Sequence, residues 1–123
     1  MSGELKTGLE LRREWQVSPS HLYNPTNIAG REVLSSPAMI MEMETTCAQL
    51  AKAHLPDTQT TVGFHVDVKH VAPAKAGATI TTFARLDAID GRKLTFHVEA
   101  KDGDRIVGTG RHRRAIVNIE ALT

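Results

Sequence analysis

The chain contains a single cysteine, Cys47, so no disulfide can form within it, and a reducing, cytoplasmic compartment is the expectation. No stretch approaches the roughly 20 apolar residues that a membrane span needs. The opening residues, Met1-Ser2-Gly3-Glu4-Leu5-Lys6, lack the apolar segment of a secretory leader. A net charge of +1 offers no bulk electrostatic reason to bind nucleic acid or a membrane surface. The one concentrated basic feature, Arg111-His112-Arg113-Arg114, reads as a solvated strand end, because charges avoid burial. No helix carries histidines at metal-ligating spacing and Cys47 has no companion cysteine, so neither a metal nor a cofactor is expected.

What the chain does contain is ordinary for a folded protein. Hydrophobic residues make up 41% and charged residues 24% of 123, which excludes wholesale disorder and fits one domain over residues 1–123. Residues 1–8 are polar, contain two glycines and are expected to pack loosely. Residues 9–17 hold enough apolar positions for a first strand. Residues 18–36 carry repeated turn signals, among them Ser18-Pro19-Ser20 and Asn24-Pro25-Thr26-Asn27. A loop this long is uncommon inside a compact domain and reads as a lid or binding segment.

A helix is predicted over 37–55. Ser36 supplies an N-cap hydroxyl, Pro37 sits where its missing N–H costs nothing, and Pro56-Asp57 closes the run. At about 100° per residue, one arc collects Met39, Ile40, Met41, Met43, Cys47, Ala48, Leu50, Ala51 and Leu55. Glu44 falls near the middle of that arc, whereas Glu42, Thr45, Thr46, Gln49 and Lys52 fall opposite. One acid therefore points inward and the other lies at the surface.

Beyond the helix the period drops to two. Val62, Phe64, Val66 and Val68 alternate through 61–70, a half-buried strand whose apolar face His70 continues. Further strands are predicted at 78–89, 92–101 and 105–119, with turns at 73–77, Asp90-Gly91 and Asp102-Gly103. Strands joined by tight turns pair antiparallel, and a lone helix with one apolar face must cover that sheet. The expected class is α+β, a hot-dog fold in which a curved five-stranded antiparallel sheet wraps one long central helix.

Three features carry chemistry. Glu44, if inward, is either a structural carboxylate held by an arginine or hydroxyl, or a general base or nucleophile in an apolar cleft; periodicity does not choose between them. His70 ends an apolar strand face, as a core histidine does and as a pocket-rim group does. Gly63 interrupts a β-branched and aromatic strand, which marks a bulge or a close backbone approach to a ligand. Ser35 and Ser36 read first as capping residues, though a hydroxyl at a helix N-terminus also sits where negative charge is favoured. Cys47, on the buried arc, reads as packing.

The segments Val33-Leu34-Ser35-Ser36-Pro37-Ala38-Met39, Met43-Glu44, Thr61-Val62-Gly63, Val66-Asp67-Val68-Lys69-His70, Asp90-Gly91-Arg92-Lys93-Leu94-Thr95-Phe96 and Gly108-Thr109-Gly110-Arg111-His112-Arg113-Arg114 together resemble the fluoroacetyl-CoA thioesterase-like family of hot-dog proteins. The resemblance runs from about residue 30 to about residue 120. It implies a homodimer joined sheet edge to sheet edge with two active sites at the interface, and leaves further pairing into a tetramer open. It implies a catalytic set of Ser36, Glu44 and His70, with the Gly63 backbone meeting the substrate and Arg114 either pairing with Glu44 or binding substrate. The family's namesake has threonine at the position of Ser36 and gating phenylalanines in the preceding loop, whereas residues 24–35 here contain no aromatic. Fluoroacetyl-CoA is therefore a poor candidate substrate. The expected activity is hydrolysis of a small or medium acyl-CoA thioester; the alternative is a noncatalytic acyl-CoA or small-ligand binding protein.

Overall fold

The structure, a computed structural model, describes residues 3–122; Met1 and Ser2, the first of the segment expected to pack loosely, lie outside the described residues. Glycine and proline are absent from Ala38 to Lys52, and there the chain forms its long helix, α1, Ser36–Lys52. The strands are β1 (Glu10–Gln16), the two-residue β2 (Leu22–Tyr23) and β3 (Val33–Leu34), β4 (Gln59–His70), β5 (Thr79–Asp90), β6 (Lys93–Asp102) and β7 (Arg105–Asn118). Five of them form one antiparallel sheet in the order β1-β5-β6-β7-β4. The sheet curls around α1, giving the expected hot-dog fold. Within residues 3–8, Leu5 packs on the core and the Gly8 N–H donates to the Leu86 carbonyl. No helix among the described residues is long and apolar enough to cross a membrane.

The core lies between α1 and the sheet, where Met39, Met43, Cys47, Leu50 and Ala51 meet Ile80, Leu86, Leu94, Phe96 and Val98. Gly108 on β7 lets the helix close in: a Cβ there would lie 2.5 Å from the Met39 sulfur.

Several expectations change. The helix ends at Lys52 rather than at 55, and Ala53, His54 and Leu55 form tighter turns that satisfy its last carbonyls. Its cap is Ser35, whose Oγ accepts from the Ala38 N–H at 3.2 Å, and Ser36 is the first helical residue. The buried stripe is Met39, Met43, Thr46, Cys47, Leu50 and Ala51. Glu42 and Glu44 flank that stripe on opposite sides, so Glu44 is not at its centre. Glu44 keeps 32% of its side chain exposed and Glu42 only 19%, the reverse of the expected order. Thr46, assigned to the polar arc, is buried and bonds Thr82 at 2.8 Å, whereas Met41 is 62% exposed. The long loop contains a 3-10 turn and the β2–β3 pair, and the last strand stops at Asn118 before a 3-10 turn.

The largest difference is in β4. Its register against β7 slips between Gly63 and His65, a bulge that takes up Phe64. Before the bulge odd positions share a face with Thr61; after it, even positions share that face. Val62 and Phe64 therefore leave the face of Val68 and His70, and Val62, Phe64 and Val66 are exposed rather than half-buried. The same slip sets Gly63 and His70, of opposite parity, on the same helix-facing side. β4 is also one of the sheet's two edge strands, β1 being the other.

Candidate active site

Two polar clusters lie along the flank of α1 that faces β4. At the helix start, Ser36 Oγ is 2.7 Å from His70 Nδ1. Because Ser35 takes the capping role, the Ser36 hydroxyl is free for this contact. His70 Nε2 is buried without a hydrogen-bond partner among the described residues. Burial lowers the His70 pKa from its ordinary value, so the ring is neutral near neutral pH. The pair opens on a cleft of about 320 Å³ lined by Tyr23, Pro25, Val33, Leu34, Val71 and Pro73. Among the described residues no charged side chain lines it.

Two turns along the helix, Glu44 faces a second cluster. Its Oε1 lies 3.7 Å from Arg114 Nη1 and 3.7 Å from His112 Nε2. A Cβ on Gly63 would come within 2.9 Å of the same oxygen, so glycine is what admits the carboxylate against the β4 backbone. Arg114 is anchored from its far side: Nε donates to Thr61 Oγ1 at 2.7 Å and Nη2 to the Thr61 carbonyl at 2.9 Å. Its Nη1 donates to His112 Nε2 at 3.0 Å, and His112 Nδ1 donates to the His65 carbonyl at 2.8 Å. Burial lowers the pKa of both His112 and Arg114; the guanidinium stays charged and the imidazole neutral. Cys47 packs beneath this cluster, with burial pushing its thiol up to about 12, so it is no nucleophile at neutral pH.

The structure thus joins Ser36 to His70, and Glu44 to Gly63 and Arg114, but it does not join the two groups within one chain. Eight residues of helix separate Ser36 from Glu44, about 12 Å of rise. The reading of residues 111–114 as a solvated strand end is corrected: His112 and Arg114 are buried, and only Arg111 is fully exposed. His112 and Thr61 are the members of the site that sequence reasoning missed. The phase of Ile116, which packs on the core from the same face of β7, carries the signal for His112. Among the described residues no group of three or more His, Cys, Asp or Glu side chains could hold a metal ion.

Residues 17–120 match the family described as fluoroacetyl-CoA-specific thioesterase. The chain is 29% identical to the fluoroacetyl-CoA thioesterase of Streptantibioticus cattleyicolor, over 98% of its own length and 91% of the relative's. Superposed on a solved structure of a fluoroacetyl-CoA thioesterase it gives a TM-score of 0.86 at 27% identity, covering 96% of this chain and 92% of that one. A hot-dog-like protein from Thermanaerovibrio acidaminovorans gives a TM-score of 0.85 at 26% identity, over 94% and 86% of the two chains.

Proposed function

The chain belongs to the fluoroacetyl-CoA-specific thioesterase family and is an acyl-CoA thioesterase, and we propose that it hydrolyses a small or medium acyl-CoA to free acid and CoA with Glu44, Ser36 and His70 at the reacting centre. The observation that carries this reading is the Glu44 carboxylate, half-open to solvent, held against the Gly63 backbone and not closed into a direct bond with Arg114. Membership in a thioesterase family sets aside the noncatalytic binding alternative.

In this mechanism Glu44 takes a proton from water as the water oxygen attacks the thioester carbonyl carbon. The carbonyl electrons move onto oxygen, return as the C–S bond breaks, and the departing thiolate of CoA takes up the proton. Ser36 steadies the developing oxyanion or the carboxylate, and neutral His70 orients Ser36 and relays the proton. Arg114 and the Gly63 backbone hold the substrate in place, and the missing side chain of Gly63 leaves the room that Glu44 occupies. The cleft beside Ser36 and His70, lined mainly by Tyr23, Pro25, Val33, Leu34, Val71 and Pro73, suits an aliphatic acyl group.

The 12 Å separation of Ser36 from Glu44 gives a reason for a second copy. β4 is an open edge, and the exposed Val66 lies on it between Gly63 and His70. Antiparallel pairing of β4 with its symmetry mate about an axis near Val66 and Asp67 would bring the Gly63–Glu44 end of one protomer beside the Ser36–His70 end of the other. Each of two composite sites would then hold a glutamate from one chain and a serine–histidine pair from its partner.

A second reading is favoured by one distance. Ser36 Oγ at 2.7 Å from a neutral imidazole nitrogen is also the arrangement of a nucleophile and its base. It requires an acyl-Ser36 ester, which mass spectrometry of the enzyme mixed rapidly with substrate detects as added acyl mass on the peptide containing Ser36. Release of free thiol from a panel of acyl-CoA esters tests the primary reading: turnover of neutral short and medium chains is expected. Turnover confined to dicarboxylic or fluorinated esters would overturn the assigned substrate class.

A further inference from the structure

His112 lies fully buried between Arg114 and the β4 bulge. Its hydrogen bonds fix its protonation pattern. The His65 carbonyl can only accept, so Nδ1 carries the ring proton. Arginine can only donate, so Nε2 meets Arg114 Nη1 with a lone pair. The other two hydrogen bonds of the guanidinium go to Thr61, which leaves His112 as the acceptor for the Nη1 end among the described residues. That end also faces Glu44 Oε1 at 3.7 Å, too far for a hydrogen bond.

We propose that His112 is a positioning residue: as a neutral acceptor it holds Arg114 Nη1 short of Glu44 and so keeps the carboxylate available as a base. The inference rests on the reading of Glu44 as the base. Without the acceptor, Nη1 is free to turn through the remaining gap and close a direct, charge-assisted pair with Glu44, which ties up the lone pair the reaction uses. Protonation of His112 has the same result by another route. A proton on Nε2 would set N–H against N–H and cation against cation at Arg114. The other acceptor within reach is Glu44 Oε1, 3.7 Å away. The groups facing His112 are Glu44 from α1, Arg114 from β7 and His65 from β4. Arg114 and His65 oppose protonation of His112, and Glu44 favours it.

The test compares His112→Asn with His112→Gln in the full-length protein. Asparagine retains a donor for the His65 carbonyl but has no atom at the position of Nε2. The glutamine amide oxygen reaches that position and cannot be protonated in the working range. His112→Asn is expected to lose about tenfold or more in kcat with little change in KM, since only the base is affected. His112→Gln is expected to recover most of that loss and to lack an acid-limb inflection that the parent enzyme shows. Parent-like kcat and pH profile in folded His112→Asn, or no recovery in His112→Gln, would overturn the proposal. Should His112→Asn fail to fold, nitrogen NMR of the parent decides: a proton on Nδ1 and none on Nε2 near neutral pH supports it, and a protonated Nε2 overturns it. Turnover by Glu44→Gln would remove the base and the inference with it; an inactive Glu44→Gln beside a normal His112→Asn would remove the inference alone.

Discussion

The carboxylate of Glu44 rests against the place where Gly63 has no side chain: a Cβ there would lie 2.9 Å from Oε1, 2.9 Å from His112 Cε1 and 3.2 Å from Arg114 Nη1. Glu44 can swing outward, but the buried imidazole is pinned by two hydrogen bonds and cannot. Gly63→Ala is therefore expected to cost about 1–3 kcal/mol of stability through overpacking. It should lower kcat by more than about tenfold, because misplacement by roughly 1 Å at a reacting group carries penalties of that order. Thermal melts and thiol-release kinetics check the two effects. An alanine variant with parent stability and rate would contradict the geometry.

Adjacent serines have separable roles. Ser35 caps the helix and Ser36 meets His70. Ser35→Ala should cost about 1 kcal/mol, typical for loss of a cap, and lower the melting temperature by a few degrees with kcat little changed. Ser36→Ala should leave the melting temperature where it is and lower kcat. The opposite pattern would show that the cap and the site residue had been exchanged.

The exchange of roles between Ser35 and Ser36 illustrates what was legible in the sequence. The helix, the β5–β6 and β6–β7 hairpins and the hot-dog layout followed from a change of period and from turn residues. The pairing of β4 with β7 rather than with β5 across the turn at 73–77 did not. Two adjacent serines before a proline present the same pattern whichever one caps, so the assignment depended on where His70 arrives. The β4 face was misread because alternation was carried straight through Gly63-Phe64, and a bulge inverts every position beyond it. His112 and Arg114 were hidden in a basic run, although Ile116, two residues past Arg114, shares their side of β7 and could have set the phase. Glu44 was set too deep because Thr46 was counted as polar, which displaced the centre of the buried stripe; its hydroxyl is satisfied internally by Thr82.

Burial lowers the pKa of His70 and His112 in the folded chain, while in the unfolded chain they titrate near 6.5. Below about pH 6.5 the unfolded state therefore binds more protons than the native state, and stability falls as pH falls. The contribution is complete above the unfolded value and declines between it and the lower native value. Melting temperatures measured from about pH 8 down to about pH 5 should decline, and His112→Gln should flatten part of that decline. An identical slope in parent and variant would show that His112 binds its proton alike in the folded and the unfolded chain.

The proposed composite sites make a strong demand on mixtures. Glu44→Gln and His70→Ala are each expected to be inactive as homodimers. Mixed dimers would hold one intact site, combining Glu44 from one chain with Ser36 and His70 from the other. Co-refolding the two variants should therefore restore activity, and size exclusion should report about twice the mass of the 13.4 kDa chain. Val66→Lys, which places a charge on the exposed β4 face between the clusters, should yield inactive monomers. A fully active monomer would contradict the composite site.

The central claim is that Glu44 performs the chemistry, and the most direct test is thiol release by Glu44→Gln on the best acyl-CoA of the panel. The substitution keeps the side chain's shape and removes its basicity. The account predicts a variant that folds and binds acyl-CoA as the parent does, with kcat reduced by about a thousandfold or more, given the usual 10²–10⁴-fold contribution of a general base. A Glu44→Gln enzyme that turns over at the parent rate would contradict it.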